Sequence, residues 1–262
     1  MAKLDERLFS RILACFLCII VLSFFSPVHA AAVNPFIAFT TVLFQWDYFN
    51  KLGPTDHYLS LNIQPSVPFH LNDKIDLISL SDIPINSEMK MIFPNSHPMV
   101  LGDIQENLFF SQANTGNFYA GFGPVLLFPT ATTAQYGSEK WGAGPTLMLA
   151  NFEDEKNYGL IANHVWSFAG NPSRSNISQT FLNPWITFNL DQTTNCGIQT
   201  ESYVYWLNSR WQVPIEFYCN KFFNINNQIF KLGFFALYWM ERPNYFPSWS
   251  IRFNLTLIYP KN

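Results

Sequence analysis

Charged residues are scarce in this chain of 262 residues. Asp, Glu, Lys and Arg together make up 13% of it, about half the share in soluble domains, and the formal net charge is −3. Nucleic-acid binding needs a basic surface, and no basic patch is apparent, so we expect no nucleic-acid partner. The 17 prolines also argue against long helices.

Long apolar runs are absent except near the amino terminus. Segment 12–25 is apolar but too short to span a bilayer; three basic residues precede it, and Val28-His29-Ala30 follows it as a signal-peptidase-like site. We therefore predict a cleaved signal peptide over residues 1–30 and a single mature domain over 31–262. No later run approaches the roughly 20 residues of a membrane helix.

Cysteine is rare, with four in the chain. Cys15 and Cys18 fall inside the predicted signal peptide, which leaves Cys196 and Cys219 in the mature domain. An oxidising compartment would permit a bridge between these two. Two free thiols facing lipid fit the pattern equally well, and the sequence leaves both readings open.

Aromatic residues are abundant, at 18%. The stretch 118–151 reads as two strands around a polar gap, in which bulky apolar residues alternate with small ones. The hairpin sets Pro124 opposite Pro145 and Gly123 opposite Gly144. A soluble sheet turns a charged face to water, whereas this hairpin suits a membrane wall with lipid on one side and a confined interior on the other. Burial in a β-sandwich fits this stretch equally well.

The rest of the mature domain repeats segments of the length that a tilted membrane strand needs. Connections after the odd strands are mostly long and those after the even strands brief, as for external loops and periplasmic turns. We therefore predict an all-β fold: a single antiparallel transmembrane β-barrel of about 12 strands. The strands are expected at 39–49, 58–69, 75–85, 102–112, 118–128, 141–150, 158–168, 177–190, 196–207, 211–223, 228–241 and 248–259.

Seven of the eight tryptophans fall at one rim of this barrel, near the ends of odd strands or the starts of even ones. A β-sandwich core would scatter large indoles along its strands, whereas a girdle at a membrane interface gathers them. The predicted girdle comprises Trp46, Trp141, Trp166, Trp206, Trp211, Trp239 and Trp249.

Polar and charged residues in the strand centres should point into the barrel, because a Lys or Arg facing lipid at mid-membrane costs about 2–4 kcal/mol. They would form a polar interior that guides a solute, or an internal salt-bridge network that fills a narrow barrel and conducts nothing. The candidates are Asp76, Asp103, Gln199, Glu201, Gln212, Glu216, Lys231, Arg252 and Asn254.

Several distinctive motifs are spread over most of the mature domain: Gly121-Phe122-Gly123-Pro124, Lys140-Trp141-Gly142-Ala143-Gly144-Pro145, Asn163-His164-Val165-Trp166, Gln179-Thr180-Phe181-Leu182-Asn183-Pro184 and Trp249-Ser250-Ile251-Arg252-Phe253. Together they resemble the MetA-pathway phenol degradation family of bacterial outer-membrane proteins. The resemblance implies an outer-membrane barrel and suggests passage of small molecules, aromatic or hydrophobic ones among them.

We therefore expect a bacterial outer-membrane barrel that passively transports small solutes, with no cofactor and no metal. Its partners would be outer-membrane lipids, the solute and the barrel-assembly machinery. A closed structural or adhesive barrel is the alternative. A lipid hydrolase is a further one, but His164 and Ser167, three apart, point to opposite faces of a strand. A hydroxyl partner for His164 would have to come from a neighbouring strand, and the sequence does not show one, so we expect no enzyme.

Overall fold

The computed structural model describes residues 38–50, 57–87, 99–113, 116–244 and 246–260, so the predicted signal peptide lies outside the described residues. No helix in these ranges is long and apolar enough to cross a membrane. The strands are β1 (Phe39–Asn50), β2 (His57–Asn72), β3 (Ile75–Ser87), β4 (Val100–Leu101), β5 (Ile104–Gln112), β6 (Phe118–Phe128), β7 (Lys140–Phe152), β8 (Lys156–Gly170), β9 (Ser178–Asn189), β10 (Thr194–Gln199), β11 (Ser202–Tyr205), β12 (Arg210–Ile225), β13 (Gln228–Glu241) and β14 (Trp249–Pro260).

These strands close into a barrel, because β1 pairs with β2 on one edge and with β14 on the other, always antiparallel. β10 and β11 are two halves of one wall strand between β9 and β12, and β4 is a two-residue strand beside β3. The wall thus has 12 strands, which confirms the predicted all-β antiparallel barrel. The end with the brief turns, such as Asn226–Asn227, is called the short-turn end below, and the opposite end the long-loop end.

Side chains alternate between a buried interior and an exposed outer wall. On β12, Glu216, Tyr218 and Asn220 are buried, whereas the intervening Phe217 is 60% exposed and Cys219 is exposed. Large apolar side chains are exposed on the other strands too, and such a continuous apolar surface is suited to lipid. Examples are Phe110, Phe122, Trp166, Phe168 and Tyr238.

The central hairpin of β6 and β7 pairs Pro124 with Pro145 as predicted, but Gly123 lies opposite Thr146 and Gly144 opposite Val125. The expected Gly123–Gly144 pair is wrong. The residue numbers of paired positions in an antiparallel hairpin add up to a constant, so pairing of Pro124 with Pro145 places Gly123 opposite residue 146. Gly144 has a different role. A Cβ there would lie 1.7 Å from the carbonyl oxygen of His164, so this position allows close approach of β8.

Two prolines explain why one wall strand is split into β10 and β11. Thr200 and Glu201 separate the two halves. By the register of the flanking pairs, they lie opposite Pro184 on β9 and Pro214 on β12. Neither proline can donate to a ladder, and the β12–β13 register also shifts beside Pro214. The break frees Glu201 from regular pairing.

A disulfide joins Cys196 on β10 to Cys219 on β12, which are direct cross-strand partners. The two cysteines are therefore bridged and are not free thiols. The bridge lies on the outer wall. It closes a loop with a sequence separation of 23.

We predict that the mature protein, denatured without reductant, gives no reaction with a polymer-tagged maleimide, and that reduction exposes two reactive thiols. The double replacement Cys196→Ser with Cys219→Ser should lower the free energy of unfolding by about 3 kcal/mol, because the unfolded chain regains the entropy of the open loop. Urea titration followed by tryptophan fluorescence would measure the loss. Reactive thiols before reduction would show that the bridge does not form.

Candidate functional site: a charged cluster inside the barrel

Four charged residues from four parts of the wall meet inside the barrel, towards its long-loop end. Arg252 Nε donates to Asp47 Oδ1 at 2.6 Å, and its Nη1 lies 2.9 Å from Glu201 Oε2 and 3.1 Å from Glu216 Oε2. The Arg252 side chain is 6% exposed and that of Glu216 is 0% exposed. We call Asp47, Glu201, Glu216 and Arg252 the charged cluster.

Three features of the fold place the four members of the cluster. Arg252 and Asp47 are direct partners in the seam between β14 and β1, so barrel closure itself brings them together. Glu216 reaches Arg252 from the buried face of β12. Glu201 comes from the break between β10 and β11, where the missing ladder lets its carboxylate turn towards the guanidinium.

Two glutamine amides complete the cluster. The Gln199 side chain donates to Glu201 at 3.3 Å and to Glu216 at 3.0 Å, and Gln45 donates to Asp47 at 3.0 Å. Glu216 Oε1 is buried with no hydrogen-bond partner among the described residues. This oxygen is therefore available to a water molecule or a solute, since a buried carboxylate oxygen left unbonded is costly.

Carboxyl groups outnumber cationic groups at this level of the interior. Three carboxylates surround one guanidinium, and Asp82, bound by Gln64 at 3.3 Å, adds a fourth carboxylate. Lys231 faces the interior from β13, but within the described ranges no carboxylate lies at ion-pair distance from it. A buried carboxyl group without a cation is stabilised by taking up a proton or by a hydrogen-bonding partner, so this site can accommodate a cationic or hydrogen-bonding guest.

An apolar cluster fills the interior towards the short-turn end. Phe109, Tyr119 and Met148 are completely buried there, and Trp185 packs against them. Near the charged cluster, the Arg252 guanidinium lies 5.7 Å from the ring centroid of Phe235, a cation–π distance. The interior is therefore polar at one level and aromatic at the next. The apolar cluster, as named below, comprises Ile78, Phe109, Tyr119, Met148, Ala150 and Phe152.

The structure brings four of the predicted interior residues into contact, namely Gln199, Glu201, Glu216 and Arg252. Asn254 is buried one inward position further along β14. Gln212 pairs with Tyr203 near the long-loop end, and Lys231 lies towards the short-turn end; neither joins the charged cluster.

The two predicted aspartates of the opposite wall lie elsewhere. Asp76 is bound by His70 at 2.8 Å beside the turn between β2 and β3, at the short-turn end. Asp103 precedes β5 instead of lying within a strand, which corrects its expected place in the interior wall. Its carboxylate accepts from the backbone of Ala131 and Ser138 at 3.2 and 2.6 Å, so it organises the long loop between β6 and β7.

Sequence reasoning missed Asp47 and Asp82 as members of the interior. Gln45 and Asp47 alternate with the bulky Phe44, Trp46 and Tyr48 of β1, so the period-two pattern carried the signal. Asp82 has the same strand parity as Asp76 and carried a similar signal.

Six of the seven girdle tryptophans lie on the outer side of the wall, and Trp239 does not. Trp239 is 8% exposed, packs on Phe246 at 4.7 Å between ring centroids, and donates to Ser250 at 3.3 Å. It shares strand parity with the buried Phe235 and Leu237. The prediction used the position of Trp239 along the strand and did not consider which face of the strand it lies on. Trp239 is therefore an interior residue and not part of the girdle.

His164 lies on the outer wall, on β8, and has the hydroxyl partners that the sequence did not show. Its Nδ1 lies 2.7 Å from Thr180 Oγ1 and its Nε2 lies 3.3 Å from Ser178 Oγ, both on β9. Trp206 donates its indole N–H to Thr180 at 2.8 Å. This set is separate from the interior.

No family model and no curated protein matches the chain. Among solved structures, an outer-membrane channel from Pseudomonas putida F1 is similar with a TM-score of 0.62 at 12% identity, over 85% of this chain and 95% of that chain. The NanC porin is similar with a TM-score of 0.53 at 10% identity, over 84% of this chain and 100% of that one. At such identities the likeness shows the fold alone. The chain has the fold of a bacterial outer-membrane β-barrel, and its exposed apolar wall suits that membrane.

We predict that Arg252→Met lowers the free energy of unfolding by about 3–5 kcal/mol, because it leaves the carboxylates of Asp47 and Glu216 buried without their cation. Urea titration of the refolded barrel in lipid vesicles would measure the change. Phe253→Leu, at the adjacent outward position, is the control and should change stability little. Equal midpoints for the two variants would show that the ion pairs do not stabilise the barrel.

Proposed function

We propose that the barrel is a narrow channel for small solutes, with the charged cluster as its constriction. The observation that carries the proposal is the uneven composition of the buried cluster, where one guanidinium, that of Arg252, faces three carboxyl groups. A barrel that served only as a wall would be filled at lower cost by apolar side chains of similar volume. Carboxylates beyond the number that Arg252 neutralises are better explained by a passing partner.

The interior chemistry supports small solutes with an aromatic or hydrophobic part. Such a solute would meet the charged cluster first and then the aromatic residues of the apolar cluster, including Phe109 and Tyr119. The resemblance to the MetA-pathway phenol degradation family points to the same class. The channel from Pseudomonas putida F1 and the NanC porin share the fold, which supports a channel in general but does not indicate its solute. Transport of this kind is passive and uses neither a cofactor nor an enzymatic step.

Two properties follow from the packed interior. Conductance should be small, because side chains of the apolar cluster must move for a solute to pass. Cations should be favoured over anions, because the carboxylates outnumber the guanidinium at the constriction. A closed structural barrel would show neither property.

Single-channel recording in planar bilayers tests the constriction. In a KCl gradient we expect small steps with a cation-selective reversal potential, which Glu201→Gln and Glu216→Gln should move towards zero. Glu106→Gln is the matched control, because that carboxylate lies on the outward face of β5, bound by Ser79 and Ser81 at 2.6 and 2.5 Å. A folded, heat-modifiable barrel without steps would favour the closed structural barrel.

Truncating the apolar cluster should widen the path. We expect Phe109→Ala to increase conductance and the rate of vesicle swelling in small neutral sugars, because it removes a completely buried ring from the interior. Phe110→Ala, the next residue and an exposed one on the outer wall, is the control and should leave both unchanged. Equal conductance of the two variants would place the solute path away from the apolar cluster.

A further inference from the structure

We propose that the outer wall carries a second, independent site, in which Ser178 and His164 cleave carboxylic esters at the membrane interface. The site does not involve the barrel interior, and it does not depend on the proposed channel. Residues three apart on one strand point to opposite faces and cannot meet. The members of this site lie on the neighbouring strands β8 and β9 and share one face, so their side chains can meet.

The three side chains have the arrangement of a nucleophile, a base and an orienting group. Ser178 Oγ lies 3.3 Å from His164 Nε2, and Thr180 Oγ1 lies 2.7 Å from His164 Nδ1. Thr180 is the direct cross-strand partner of His164, so the β8–β9 register holds the imidazole in place. A hydroxyl beside one ring nitrogen and an anchoring group beside the other are what activation of a serine requires.

The hydrogen bonds around His164 permit the tautomer that the site needs. Trp206 donates to Thr180 Oγ1 at 2.8 Å, and an indole N–H cannot accept in return. The threonine oxygen has a second lone pair for the Nδ1–H of His164. In this tautomer the lone pair of Nε2 faces the Ser178 hydroxyl and can take its proton.

A cleft of about 450 Å³ at the long-loop end also reaches Ser178, but it lies on the inner side of the wall. Gln179 and Tyr205, which are cross-strand partners with inward parity, line it, whereas His164 and Thr180 do not. The proposed site is therefore the exposed outer face of β8 and β9, and the cleft is not part of it.

The surroundings of the His164–Ser178 contact indicate an ester at interfacial depth. Trp166, Trp206 and Trp211 are about half exposed around the site, and tryptophans of an outer wall concentrate at the boundary between hydrocarbon and water. Acyl ester groups of membrane lipids lie at that boundary, and soluble esters reach it from the external side. The shared chemistry is a carboxylic ester with an acyl chain.

The reaction balances without any further reactant except water. Ser178 Oγ attacks the ester carbonyl carbon and transfers its proton to His164 Nε2. The tetrahedral intermediate expels the alcohol, which takes the proton from His164, and leaves an acyl ester on Ser178. Water then attacks this ester, with His164 again accepting a proton and returning it to Ser178, and the carboxylic acid leaves.

The test uses the full mature barrel refolded in detergent micelles, a fluorophosphonate probe and p-nitrophenyl butyrate. We expect the probe to label Ser178, identified by mass spectrometry of the labelled peptide. Ser178→Ala should abolish labelling, and it and His164→Asn should each lower butyrate hydrolysis at least about 100-fold. Ser175→Ala, which changes a serine that precedes β9 and lines the separate inner cleft, is the matched control and should keep both activities.

Thr180 is proposed as a positioning residue, so its test uses the pH profile. Thr180→Val should lower the rate and move the acid limb of the profile, and Thr180→Ser should restore both, because a serine keeps the hydroxyl.

Two substrate arms identify the source of the ester. Hydrolysis of dioctanoyl phosphatidylcholine micelles faster than butyrate would assign the site to lipids, and the reverse order to soluble esters. A folded wild-type barrel that the probe does not label at Ser178, or a Ser178→Ala variant that hydrolyses both esters at the wild-type rate, would overturn the proposal. Channel recordings of Ser178→Ala should be unchanged, which separates this result from the proposed channel function.

Discussion

The hydrogen bond between Arg252 and Asp47 connects the two ends of the barrel wall. The two residues are 205 positions apart, yet they are direct partners where the first and last strands meet. A slip of one position in β14 would turn Arg252 towards lipid at a cost of about 2–4 kcal/mol and leave Glu216 without its cation. The ion pair therefore specifies the register of the seam, and the rest of the charged cluster depends on that register.

The interior combines two kinds of environment along one axis. Pro184 and Pro214 interrupt the hydrogen-bond ladder beside Glu201, and this lets the Glu201 carboxylate turn towards Arg252. Two residues that weaken a sheet thus help to form the charged cluster. The apolar cluster then fills the space towards the short-turn end. A wide aqueous pore would lack the apolar cluster, and a plain hydrophobic core would lack the charged cluster. The proposed channel function depends on this combination.

Much of the wall could be predicted from the sequence, because strand alternation and strand length are local properties. β13 has the predicted bounds, Gln228–Glu241, and the inward places of Glu216 and Arg252 followed from the cost of facing lipid. Trp239 was misplaced because position along a strand was weighed without parity. The contact of His164 with Ser178 and Thr180 could not be foreseen, since it depends on the register between two strands, which no local pattern fixes.

The disulfide has a consequence for the order in which the barrel forms. Cys196 and Cys219 are close in sequence, so their hairpin can be oxidised while most of the chain is still unstructured. The seam between β1 and β14 joins the most distant parts of the wall and carries the largest entropic cost, so it closes last. The bridge thus supplies a covalently fixed template of two strands on which neighbouring strands can add, and the guanidinium of Arg252 meets its carboxylates only when the circle is complete.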